Sequence, residues 1–142
     1  MALQRNPYDQ YKQTQVNTAS QGKLIVMLYD GIIRFLKIAA ENMVPKTYDV
    51  ANNTIIRAQD ILTELTSSLN MDKGGEIANN LLSLYIYFKK RLLEANMQKD
   101  ADILKEVIDH TVTLRDAWNE VSANDNTGET ITHSKGSFSI EG

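Results

Sequence analysis

Two histidines and no cysteine narrow the chemistry open to this 142-residue chain. Without cysteine there is neither a disulfide framework nor a thiolate metal site, and that usage suits a reducing compartment. A helical di-iron carboxylate centre needs Glu-x-x-His pairs on two helices. Here Glu106 and His110 are four apart, and the other histidine, His133, lies near the end of the chain. Glycines 74 and 75 stand alone, without the run that cradles a phosphate, and the Ser, Asp and Glu residues lack a triad partner. The expectation is a protein with no catalytic residues, no cofactor and no metal, and not an enzyme. Lys89, Lys90 and Arg91 form a short basic run, but a net charge of −3 and a pI near 5.3 argue against nucleic acid as a partner. The run reads as a solvated helix face.

Four segments would position these side chains. Only Pro7 and Pro45 interrupt the chain, and 42% of it is apolar against 23% charged, ordinary for a globular domain. A first helix runs from about Ser20, a good N-cap, to Met43, stopped by Pro45. A second spans about Thr47 to Leu69. Gly74 and Gly75 open a third that reaches about Met97, and Asp100 caps a fourth that ends near Ser122. Connections of a few residues make consecutive helices antiparallel. The fold expected is all-α: an up-down four-helix bundle over 20–123. It is preceded by an N-terminal arm (1–19), or short helix, acting as a cap, and followed by a polar tail (124–142). Alternation of Ile131, His133, Phe138 and Ile140 around Lys135–Gly136 would allow a weak hairpin in that tail. Residues 1–20 lack the apolar run of a signal peptide, and no stretch of 18 uncharged apolar residues exists, so a cytoplasmic location is expected.

Apolar residues exceed what a four-helix core needs. The second helix carries one stripe, Ile55, Ala58, Ile61, Leu62, Leu65 and Leu69, about 140° wide. In the first helix the charges Asp30, Arg34, Lys37 and Glu41 keep to one narrow line, leaving roughly 260° apolar or small. Ile25, Leu28, Ile32, Phe35, Leu36 and Ala39 make its core face. Val26, Tyr29 and Ile33 lie on one flank, and Leu24, Met27 and Ile38 on the other. The third helix places Leu81, Tyr85, Phe88 and Leu92 inward, with Leu82, Ile86 and Leu93 about 100° round. The fourth has Ile103, Val107, Leu114, Trp118 and Val121 for the core, and Ile108 and Val112 beside it. Two readings of the surplus stay open. Neighbouring helices cover it, or the second stripes line a partner groove. Under the groove reading a charge at Ile33 weakens a partner more than the fold. Tyr8 and Tyr11, three apart in the polar arm, are candidates to cover that groove when empty, since a tyrosine ring buries while its hydroxyl stays wet.

Several blocks of the chain resemble the flagellin-specific export chaperones of the FliS family. They are NPYDQYKQTQVNTASQGKLIVMLYDGIIRFL near the start, then KGGEIANNLLSLYIYFKKRLLEANMQKDADILKEV, then LRDAW. The resemblance covers about residues 6–120. It implies a cytosolic type III flagellar export chaperone, monomeric or weakly homodimeric, that binds the C-terminal segment of flagellin one to one as that segment folds. Binding prevents premature polymerisation, and the complex is delivered to the export-gate protein FlhA. Contact with the membrane export apparatus is therefore peripheral only. The partner-binding residues expected are Tyr8, Tyr11, Ile25, Val26, Tyr29, Ile33, Leu82, Ile86, Leu93, Ile108 and Val112. Ile25, Met27, Leu28 and Tyr29 match the family's first-helix block, and Tyr85, Tyr87, Arg91 and Asn96 its third-helix blocks. Position 86 is commonly acidic in the family, and Ile86 makes the outer face of the third helix more apolar.

Overall fold

In a computed structural model of the chain, residues 21–124 are described. Four helices account for most of them: α1 (Gln21–Ala40), α2 (Tyr48–Ser67), α3 (Met71–Gln98) and α4 (Ala101–Asn124). The expected all-α bundle is what forms. The boundaries follow local chemistry. Val44, ahead of Pro45, is extended at φ −130° and ψ 150°, as the proline ring demands of its predecessor. Pro45–Thr47 then makes a 3-10 turn leading directly into α2. Asn70 caps α3 by accepting the Lys73 amide at 3.0 Å. Five residues later Gly75 (φ 56°, ψ −132°) breaks the helix, so the first turn is offset from the rod beyond it. An L-side chain rarely takes that conformation, so the glycine pair sets the break inside α3 rather than its start. Lys99, left-handed at φ 53°, ends α3, with the Asp100 amide donating to the Ala95 carbonyl at 3.0 Å. Asp100 then caps α4 through Oδ1, which accepts the Asp102 amide at 2.9 Å.

The helices pack around a square, α1 against α2 and α4, and α3 against the same two. The second-helix stripe is buried throughout, as are Leu81, Tyr85, Phe88 and Leu92 of α3. In α4 the inward face is Ile103, Leu104, Val107, Thr111 and Trp118, whereas Val121 is exposed. Leu104 and Thr111 complete a face that the expected spacing left incomplete, and the Thr111 hydroxyl is satisfied by the Val107 carbonyl at 2.7 Å. Helix α1 approaches α2 closely at Gly31, where an added Cβ would stand 3.0 Å from Ile61 Cδ1. Gly31→Leu is therefore expected to cost about 1–3 kcal/mol by overpacking, read as a lowered urea midpoint with unchanged slope.

Both flanks of α1 contribute buried residues. Leu24 and Tyr29 are each 1% exposed, Ile33 is 5% exposed, and Val26 and Phe35 pack half-buried on the core. In this conformation most of the broad apolar arc of α1 is buried, with Met27 and Ile38 left half-buried on its second flank. Asp30, on the charged line, pairs with Arg115 of α4 at 2.9 Å, and Arg34 and Arg57 both sit over the Phe35 ring, at 5.4 and 5.8 Å from its centroid.

Deep between α1, α3 and α4, Tyr29 and Tyr85 join hydroxyl to hydroxyl at 2.6 Å, and Trp118 also hydrogen-bonds Tyr29. Burial pushes both phenols well above their ordinary value, because a phenolate there would lose its water. An unfolded chain ionises these tyrosines near pH 10, while the folded one holds them neutral. Their contribution is thus complete below pH 10 and declines as pH rises above it. Urea midpoints should be flat from pH 7 to 9 and fall steeply beyond 10, and a Tyr29→Phe, Tyr85→Phe double variant should show a shallower fall.

Candidate functional site

A line of exposed apolar side chains runs along α3. Ile86, Leu93 and Met97 of α3 are 57%, 55% and 74% exposed, and Leu82 is half-buried at the upper end of the same line. Their spacing, i, i+4, i+11 and i+15 from Leu82, keeps them on one helical face. Three polar ties set this face against α2. Lys89 Nζ donates to Thr63 Oγ1 at 2.6 Å, Gln59 Nε2 to the Lys89 carbonyl at 3.4 Å, and Lys99 Nζ to Asn52 Oδ1 at 2.6 Å. That antiparallel register puts Ile56, 49% exposed, between the Asn52 and Thr63 levels and so beside the turn of α3 carrying Leu93. Ile56, Ile86, Leu93 and Met97 therefore form one stripe across two helices.

The other side of α3 is polar and cross-linked. Glu106 of α4 accepts from the Tyr87 hydroxyl and from Arg91, whose Nη2 lies 2.8 Å from it. Hydrogen bonding from Tyr87 holds the Glu106 carboxyl below its usual range, with Arg91 adding to the effect. Arg91 also pairs with Glu94, so the outer seam between α3 and α4 is closed by charge. His110 is exposed and stacks on Phe88 with ring centroids 6.0 Å apart. Among the described residues, no group of three acidic or histidine side chains is arranged to hold a metal ion.

The expected partner residues divide unevenly over this structure. Ile86 and Leu93 stand on the exposed stripe, with Leu82 at its end. Val26 and Val112 are half-buried against the core. Ile25, Tyr29, Ile33 and Ile108 are buried, so a partner would reach them only after rearrangement. Ile33 is therefore corrected from exposed flank to core: Ile33→Glu would bury a charge and is expected to unfold the bundle rather than spare it. Tyr8 and Tyr11 lie outside the described residues. Ile56 and Met97 are additions. Ile56 follows Ile55 directly, and a lone isoleucine beside a full stripe gives no periodic signal.

The profile of the family described as flagellar protein FliS matches residues 4–125, which include the entire bundle. The chain belongs to the FliS family. Among FliS proteins, the flagellar secretion chaperone FliS of Bacillus subtilis (strain 168) is 38% identical over 120 residues, spanning 84% of this chain and 88% of its own. The flagellar secretion chaperone FliS of Campylobacter jejuni is 37% identical over 123 residues, 83% of this chain and 92% of that one. The corresponding chaperone of Salmonella typhimurium is 34% identical over 111 residues, 78% and 82% of the two chains. The FliS profile spans the helices that build both the core and the stripe. Among the described residues, no helix is long and apolar enough to cross a membrane.

Proposed function

We propose that this FliS-family chain is a flagellar export chaperone that binds the C-terminal segment of newly made flagellin in the cytoplasm. Binding is one to one and keeps the client from polymerising before export. One observation carries the reading: a chain matching flagellar secretion chaperones over most of its length exposes an apolar stripe at Ile56, Ile86, Leu93 and Met97. Patches of this kind on a soluble monomer usually mark a partner site, and an amphipathic helix seated on such a face is a standard mode of recognition. A client that folds as it binds loses ordering entropy from its affinity, which leaves the complex releasable. The role is one of binding, with no reaction assigned. The loaded complex is then received by the export-gate protein FlhA, so contact with the membrane is indirect. In the absence of client, the same stripe supports at most a weak homodimer. Tyr8 and Tyr11 remain the proposed cover of the client site, and Val26, Leu82 and Val112 its margins.

The test is a titration with the C-terminal part of flagellin, followed by calorimetry and circular dichroism. Saturation at one equivalent with a gain in helicity is expected. No binding at tens of micromolar peptide would refute the client assignment. A stable dimer by light scattering with no affinity for the peptide would mark the stripe as a self-association surface instead.

A further inference from the structure

The stripe is not uniformly apolar, and its interruption is charged. Ile86 and Leu93 are two helical turns apart, about 10.5 Å along the axis. Lys89 and Lys90 fall between them, one on each side of the line joining the two apolar residues. Lys89 is half-buried, its ammonium tied to the neutral Thr63 hydroxyl at 2.6 Å, and Lys90 is exposed. Among the described residues neither lysine is in an ion pair, and Asp60 on the neighbouring α2 pairs with neither. The contrast with the seam between α3 and α4 is plain, since Arg91 there is held by two carboxylates. A chain of net charge −3 thus places two cations without carboxylate partners in the middle of its most exposed apolar face.

An all-apolar helix laid along this face would cover Lys90 and take water from its ammonium without replacing the lost interactions, which disfavours such a partner. A helix with a carboxylate at that level would instead form a partly desolvated, charge-assisted contact, the kind that discriminates between partners more than it adds affinity. We infer that the α2–α3 stripe selects a client helix whose facing residues run apolar, acidic, apolar at i, i+3 or i+4, and i+7. The outer two seat on Ile86 and on Leu93 with Ile56, and the acidic one meets Lys90 and Lys89. Met97 takes a further apolar residue one turn beyond. This rests on the proposed client and names what in it is recognised. The two lysines would be specificity determinants, rejecting apolar helices that match only in shape.

The experiment uses the full chain and the C-terminal flagellin segment, titrated at 50 and 300 mM salt. Lys90→Glu is expected to weaken binding tenfold or more at 50 mM, with a clearly smaller loss at 300 mM. Lys105→Glu, an exposed change on α4, should leave affinity within twofold. Changing the client's acidic residues singly to Lys should identify one position that weakens the wild-type chaperone yet binds the Lys90→Glu variant better than the unaltered client does. Thermal melts of both variants confirm an intact fold, and Lys90→Gln, which keeps the length but removes the charge, should fall between the two. Affinity within twofold for Lys90→Glu, with no client position showing the reciprocal rescue, would overturn charge selection while leaving the client assignment standing. No binding by the unaltered chain would overturn the client assignment, and the charge selection with it.

Discussion

Leu93→Glu is expected to lower affinity for the flagellin segment a hundredfold or more while leaving the chaperone folded. Leu93 is 55% exposed at the centre of the stripe, beside the level of Ile56. In the free protein the glutamate points into water, so stability should change by no more than about 0.5 kcal/mol. In the complex it would be pressed into an apolar contact and shed its hydration, and a hundredfold loss corresponds to about 2.7 kcal/mol. Calorimetric titration reads the first quantity and a urea melt the second. Leu92→Glu, one residue earlier, should act through the fold instead. Leu92 is fully buried, so the charge would unfold the bundle and binding would disappear with it. Near-normal affinity for Leu93→Glu would move the client off this face.

Tyr85→Ala is expected to destabilise the bundle by about 3–5 kcal/mol, a large part of the 5–15 kcal/mol that holds a typical domain folded. The ring is fully buried among α1, α3 and α4, and its removal leaves both a cavity and a Tyr29 hydroxyl short of one partner. Tyr85→Phe isolates the second effect. It keeps the ring and should cost about 1 kcal/mol, the size of one lost hydrogen bond, because Trp118 still bonds Tyr29. The Tyr29→Phe, Tyr85→Phe pair should be less destabilising than the sum of its parts, since each single variant already removes the one bond that joins the two hydroxyls. Denaturant melts of the four proteins complete that cycle. Additivity within 0.3 kcal/mol would mean the two hydroxyls act independently.

The helices and most core stripes were legible because they depend on local signals. Pro45, Asp100 and the apolar spacing of α2 each act within a turn or two of chain. The excess on α1 was legible too, but its meaning was not. Whether Tyr29 and Ile33 face a partner or α4 depends on which helices are neighbours, and periodicity within one helix is silent on that. The same limit explains Ile56. Its significance arises only when the ties from Thr63, Gln59 and Asn52 place it beside Leu93 on another helix. Ile86 and Leu93 were visible in advance because α3 alone carries two stripes. The lysines between them read as a solvated face, which describes Lys90 as it stands and omits what surrounds it. Leu104 and Thr111 went unseen as core residues because a threonine at an inward position breaks the hydrophobic count even when its hydroxyl is satisfied within its own helix.

The chain has one tryptophan, Trp118, and it is bonded to Tyr29 on the side of the bundle occupied by α1 and α4. Its emission is therefore a built-in optical reporter of whether those helices are assembled. The α2–α3 stripe is elsewhere, so a client seated there should leave the spectrum almost unchanged. Fluorescence and calorimetry then observe separate events in the same cuvette: the first follows the integrity of the scaffold, the second the occupancy of its surface. A client that shifts the Trp118 emission would signal repacking of α1 and α4, and so access to Ile25, Tyr29 and Ile33.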